Sequence, residues 1–364
     1  MTKGSICLVD KEDDAQLREC MRLNEMPGAI SIAFETEPSF FDALSVLGKE
    51  QQVVAGKTDD GNLMGFGVRS IREAYVNGEM VDIGYLSSLR GHPKYRGGTF
   101  IARGFKKFRE LDKDGKVPFY ITTIVEDNIA AKKILEKTRV AMPFYYPIDT
   151  LSTFLIKPQR SKMKNEYEIF RGDSLSLEEI VEFMNREGKN KQFYPHYQET
   201  DFGSCRLRNL EKEDFYIASK DDKIVGVVAK WDQESFKQTR VVDYDKKTKI
   251  ARAFINLASR FSNIPHLPKA GELLHYFYAA FPTVKDNNPR ILKELLSAMA
   301  SDRENKEYDY FTLGLTEKDP LREGVKSFSP REYKSRIYMV SFDKSRENLK
   351  FLNGRIPYLE LGTL

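Results

Sequence analysis

The residues with the clearest chemical capacity form one run, Arg90-Gly91-His92-Pro93-Lys94-Tyr95-Arg96-Gly97-Gly98-Thr99-Phe100. A Gly-Gly pair beside an arginine, at the mouth of a basic amphipathic segment from Phe100 to Leu111, is suited to holding an anion. Glycine lets the backbone approach a phosphate closely, and the free amides of a helix N-terminus face it. Arg96 would add a charge-assisted fork. Arg103, Lys106 and Lys107 follow on the helix, where a further phosphate would feel their charge. Asn128 heads a second helix-like stretch and either caps it or offers its amide to a ligand.

Two strands and two helices must position these groups. Val81 to Leu89 reads as a strand entering the turn, Phe119 to Val125 as the next strand, and Asp127 to Lys137 as the second helix. Strand, Gly-rich turn, helix, strand, helix resembles the GNAT acetyltransferases. Those bind acetyl-CoA through a V-x-P-x-x-R-G turn, a following pyrophosphate loop and an N-x-x-A helix. Gly91-His92-Pro93-Lys94-Tyr95-Arg96-Gly97 stands at the first and Asn128-Ile129-Ala130-Ala131 at the third. Small residues are asked for inside the loop. Counting from Arg96 meets Thr99 and Ile101, and counting from Tyr95 meets Gly98 and then Phe100.

The resemblance implies acetyl-CoA as co-substrate, held by Leu89, Arg90, Gly91, Arg96, Gly97, Gly98, Thr99, Phe100 and Asn128. It implies direct attack of an amine on the thioester, with no metal. It also implies a bulge in the strand whose backbone amide, among Leu89 to Gly91, polarises the thioester carbonyl. The tyrosine that protonates the leaving thiolate in the family falls here at Leu135, which has no proton to give. Tyr85, Tyr145 and Tyr146 are the available substitutes. Asp82, on the strand ahead of the turn, is a candidate base. Tyr85 is three residues further on, hence on the opposite face unless a bulge intervenes. Some two-lobed relatives use the terminal carboxylate as base, which makes Leu364 another candidate.

A length of 364 residues suggests two domains. With 58 basic against 54 acidic residues the net charge is only +4, and no basic stripe stands out, so nucleic acid is not expected. Cys7, Cys20 and Cys205 are odd in number and scattered, as are His92, His196, His266 and His275. Neither a disulfide framework nor a metal site follows. No run of about twenty apolar residues and no apolar leader occur, so no membrane partner and a cytoplasmic location are expected. The acceptor is expected to be a small-molecule or peptide amine; a homodimer stays open.

The expected fold class is α+β, as two GNAT-like lobes with mostly antiparallel sheets flanked by helices. Residues 1–157 would form the acetyl-CoA-binding lobe, 158–166 a polar linker, and 167–364 a second lobe without the phosphate loop. Asn77-Gly78 signals a hairpin. In the second half Asp214 to Lys230 reads as another hairpin, Leu273 to Ala280 as an apolar strand, and Asn288-Pro289 as a helix start. Tyr308 to Leu315 and Arg336 to Phe342 are further strands, with Pro357 to Leu361 finishing the sheet. Phe193-Tyr194-Pro195-His196-Tyr197 is a candidate wall for the acceptor or a packed loop.

Overall fold

Segments alternating between apolar and polar residues become strands, and those with a 3.6-residue apolar period become helices that cover them. The computed structural model describes residues 4–95, 100–136, 142–159, 166–259, 266–343 and 351–364. The first half contains β1 (Gly4–Val9), α1 (Asp14–Arg22), β2 (Ile30–Glu35), α2 (Phe40–Leu44), β3 (Glu50–Thr58), β4 (Leu63–Val76) and β5 (Glu79–Gly91). It continues through α3 (Phe100–Asp112), β6 (Tyr120–Val125), α4 (Ile129–Leu135) and β7 (Phe144–Ile156). The second half contains β8 (Glu168–Arg171), α5 (Leu177–Gly188), β9 (Phe215–Lys220), β10 (Lys223–Trp231), β11 (Gln238–Tyr244) and α6 (Lys246–Ala258). Then come β12 (Tyr276–Val284), α7 (Pro289–Ser301), β13 (Tyr310–Thr316), α8 (Arg322–Val325) and β14 (Arg331–Ser341).

Local chemistry sets several boundaries. Asn77 and Gly78 both take positive φ, 58° and 92°, and close the β4–β5 hairpin in the two-residue turn their types favour. Asn288 caps α7 through its side chain, with Pro289 in the first turn where a missing N–H costs nothing. Ser176 and Glu179 form a capping box at α5.

Twelve strands make one sheet in the order β1-β3-β4-β5-β6-β14-β7-β13-β12-β10-β9-β8. From either end the pairing runs antiparallel for four strands and then parallel, at β5–β6 and at β12–β13. The two halves also exchange a strand. β7 pairs with β13, β14 pairs with β6, and the exchanged strands pair with each other at the centre. The halves read from the sequence therefore share a single sheet. β2 and β11 form a separate two-stranded sheet. Pro357 to Leu361 is not a strand as expected. It is irregular and ends in a short 3-10 turn, Leu361–Thr363, with the Pro357 carbonyl taken by the Thr316 hydroxyl and the Gly362 amide by the Glu360 side chain.

Strand alternation sends side chains to two faces. One face carries a continuous apolar cluster, with Leu17 of α1, Phe40 of α2, Phe183 and Met184 of α5, and Phe66, Tyr85, Trp231 and Phe281 from the strands. On the opposite face α3 and α4 cover the first half through Phe105, Phe108 and Leu135, and α7 covers the second through Leu292, Leu295 and Leu296.

Arg69 of β4 locks the α3 side. Its side chain is fully buried and grips Asp114 with two 2.9 Å bonds while donating to Tyr120 Oη at 2.9 Å. Desolvation works against the Asp114 carboxylate, yet the Arg69 hydrogen bond, the Lys116 backbone amide and the charges of Arg69 and Lys116 together hold its pKa below the ordinary 3.8. Asp114→Asn should cost about 3 kcal/mol at pH 7, because it leaves a buried guanidinium short of its counter-charge. A depressed carboxylate pKa gives stability that is present above 3.8 and lost as pH falls through the folded value. The gap between wild type and variant, followed by urea unfolding, should therefore close in acid.

Candidate active site

β5 and β6 run in parallel register at only two positions, Gly84↔Tyr120 and Tyr85↔Ile121. The Thr122 hydroxyl still reaches across to the Leu86 carbonyl at 2.6 Å. Beyond it β5 bulges: Phe66 faces Arg90 and Val68 faces Ser87, so Ser88 and Leu89 together oppose Gly67. Ser88 takes φ 53°, a left-handed conformation that a serine adopts only when its surroundings impose it. The bulge turns backbone polar groups out of the ladder at the mouth of the splay. Leu89, Arg90 and Gly91 lie here, and the Arg90 side chain bonds the Leu89 carbonyl at 3.2 Å. Burial pushes the Arg90 guanidinium pKa down.

A 3-10 turn, Pro93–Tyr95, follows β5. Arg96, Gly97, Gly98 and Thr99 lie outside the described residues. Phe100 opens α3, and its ring turns inward over β3 and β4. A Cβ on Gly56 would overlap that ring, and one on Gly65 would crowd it. The bulk expected beside the phosphate loop is thus directed into the sheet, where two glycines leave room. Arg103 donates to the Gly4 carbonyl at 2.5 Å, Lys107 reaches Glu110 at 3.2 Å, and Lys106 is exposed. Asn128 caps α4, its Oδ1 accepting from Ala131 N at 3.0 Å, which engages the oxygen rather than the amide nitrogen.

The other sequence candidates fall in three places. Asp82 is held by Lys49 at 2.8 Å, and Lys49 also contacts Glu73 at 3.2 Å. It lies six residues before Ser88, about 20 Å along an extended strand. Tyr85 is buried on the opposite face, at the point where β5 and β6 part, with the Arg72 guanidinium 4.6 Å over its ring. Tyr145 packs edge-on to Tyr338 at 5.8 Å in the cluster that holds Leu135, and burial pushes its phenol pKa up.

Leu364 closes a segment that fills the space between the halves. Arg72, fully buried, donates to the Thr363 hydroxyl at 3.0 Å. Lys237 donates to the carbonyls of Gly362 and Leu364 at 3.3 and 3.2 Å, and burial pushes its ammonium pKa down to about 8. Glu360 is 1% exposed and accepts from Phe281 N at 2.7 Å, Tyr358 Oη at 2.5 Å and Gly362 N at 3.1 Å.

Phe281 is the twin of Ser88. It has φ 55°, sits in a bulge of β12 against β10, and lies three residues after the last parallel pair, Tyr278↔Thr312. The second half thus repeats both the splay and the bulge, but its bulge amide is taken by a carboxylate from the chain's own end. Two residues escaped the sequence reading. Glu360 carried no local signal, since its partners are 79 residues away or on either side of it. Tyr338, whose hydroxyl bonds Glu136 next to Leu135, lies 202 residues from that partner. The Phe193–Tyr197 stretch is mostly core: Phe193, Tyr194 and Tyr197 are buried, and Tyr194 accepts from Tyr75 N at 2.8 Å. Among the described residues no three His, Cys, Asp or Glu side chains gather as a metal site.

No protein-family model and no curated sequence matches the chain. Solved structures do. Saccharomyces cerevisiae N-myristoyltransferase with bound myristoyl-CoA aligns over 93% of this chain and 83% of that one, at TM-score 0.61 and 12% identity. A conserved Enterococcus faecalis protein described as a probable N-acyltransferase covers 93% and 72%, at TM-score 0.52 and 12% identity. A GCN5-related N-acetyltransferase from Anabaena variabilis covers 93% and 72%, at TM-score 0.53 and 10% identity. At such identities the likeness is one of fold: a mixed α+β architecture of the GNAT and N-myristoyltransferase type, with a large, mostly antiparallel sheet flanked by helices.

Proposed function

We propose that this protein is an acyl-CoA-dependent N-acyltransferase built as two GNAT-like lobes, with the co-substrate held by the first. One observation carries the reading: splay and bulge follow one another along β5, a few residues ahead of Gly97-Gly98 in the sequence, whereas the bulge amide of the equivalent splay on β12 is taken by Glu360. An acyl-CoA entering between β5 and β6 would extend its diphosphate toward Arg96, Gly97, Gly98, Thr99 and Phe100, and its pantetheine arm toward Asn128. Its thioester carbonyl would meet the amides after Ser88, an oxyanion-hole arrangement.

The acceptor amine attacks the carbonyl carbon, the C–N bond forms, the C–S bond breaks, and the thiolate takes up a proton to leave as CoA. In a chain ending at Leu364, the terminal carboxylate beside Lys237 is the proposed base. Arg72, which bonds the adjacent Thr363, stacks over Tyr85 at the splay, whereas Asp82 is engaged by Lys49. Tyr145 and Tyr338 flank Leu135 and are the proposed proton sources for the thiolate. The acceptor would be a small-molecule or peptide amine.

Acetyl-CoA is the proposed donor, in keeping with the GNAT-like turn. A longer acyl group is the second reading, favoured by the resemblance to a structure that carries myristoyl-CoA. Calorimetry with acetyl-CoA and myristoyl-CoA separates the two, and thiol release across an amine panel tests for turnover. Gly98→Val should weaken the preferred donor at least tenfold, or about 1.4 kcal/mol. Unchanged affinity would remove the glycine turn from the site. Binding without turnover would favour a non-catalytic acyl-CoA-binding protein.

A further inference from the structure

Helix α6 is apolar on the side that faces away from the protein. Its inner side is already used: Ile255 packs on Val241, Tyr244 and Leu267. Yet Ile250, Phe254 and Leu257 are 78%, 75% and 56% exposed, and they recur at the i, i+4, i+7 spacing of a single stripe. Other exposed large apolar side chains, such as Leu8, Leu23 and Met80, lie on separate elements. A surface helix with water as its only neighbour would carry polar residues on this stripe.

Charge identifies the partner. Lys246–Ala258 contains Lys246, Lys247, Lys249 and Arg252 and no acidic residue. Asp243 pairs with Lys249 at 2.9 Å, Asp245 caps the helix through Thr248 N, and Arg252 donates to the Pro268 carbonyl at 2.9 Å. Lys246 and Lys247 remain exposed beside the stripe. Two copies of α6 meeting face to face would set these cations against a helix with no carboxylate to receive them. A bilayer interface with anionic headgroups accepts both features, since acyl chains take the stripe and phosphates or carboxylates take the lysines.

We propose that α6 docks this protein on an anionic lipid surface, with Ile250, Phe254 and Leu257 below the headgroups. This departs from the expectation of no membrane partner, which rested on the lack of a spanning segment. No helix among the described residues is long and apolar enough to cross a membrane, but lying in its plane makes no such demand. The placement also has a use. β11 leads from Lys237, which bonds Gly362 and Leu364, to α6, so docking would keep the cleft within about 25 Å of the lipid, the length of that strand.

Co-sedimentation of the full chain with vesicles tests this. Vesicles of phosphatidylcholine mixed with phosphatidylserine should bind it roughly tenfold more tightly than phosphatidylcholine alone, and high salt should reduce the difference. Ile250→Gln with Phe254→Ser should abolish binding without changing the melting temperature, because both side chains are exposed. Lys246→Gln with Lys247→Gln should remove the preference for phosphatidylserine. Failure to bind either vesicle, equal binding to both, or a Phe254-dependent dimer that ignores vesicles would overturn the proposal.

Discussion

Glu360→Ala should be the most damaging single substitution at the cleft. The buried carboxylate receives Phe281 N, Gly362 N and the Tyr358 hydroxyl. Deleting it strands three buried donors, so unfolding in urea should report a loss of about 3 kcal/mol or more. The functional effect should exceed the structural one. With its anchor gone, Tyr358–Leu364 leaves the cleft and carries the proposed base with it. Acyl-CoA affinity of the first half should stay within about threefold, while turnover falls about 100-fold, the usual contribution of a general base. Extending the chain beyond Leu364 should reproduce the kinetic loss without the loss of stability. Equal losses of affinity and rate would instead place the segment in the donor site, and an unchanged rate in the extended chain would dismiss the terminal carboxylate.

The second large effect is expected at a residue with no chemistry of its own. Gly56 lies under the Phe100 ring, and an added Cβ would occupy the same space. Gly56→Val should expel the ring and tilt the first turn of α3, whose amides are the proposed phosphate donors. Donor affinity measured by calorimetry should fall at least tenfold, about 1.4 kcal/mol. Phe100→Ala removes the clash and is the control: the double variant should recover part of the affinity lost by Gly56→Val alone. If Gly56→Val binds donor like wild type, the inward ring has no bearing on the turn.

What could be read from the chain depended on how far apart the interacting groups lie. Asn77-Gly78 and Asn288-Pro289 act within one turn, and their structures follow from backbone preference and capping. The α+β class followed in the same way, from strands and helices whose apolar periods are visible one at a time. The exchange of β7 and β14 was hidden because each strand's pattern fits either neighbour, and only the assembled sheet distinguishes them. Phe100 was read as an obstruction because its room comes from Gly56 and Gly65, about 40 residues earlier. The outward stripe of α6 gives no separate signal, because its i, i+4, i+7 period is the same as that of a stripe packed inward. Glu360 looked like an ordinary charge near the end, and its burial depends on a bulge in another strand.

The crossing of β7 and β14 also bears on how the polypeptide is made. β6 waits with one side unpaired until residues 331–341 leave the ribosome, some 200 residues after β6 itself. During that interval a half-finished sheet presents bare amides and carbonyls, which invites pairing with a neighbouring nascent chain. Neither half, expressed separately, has the strand that completes its own centre, so co-expressed fragments should assemble only by trading β7 for β14.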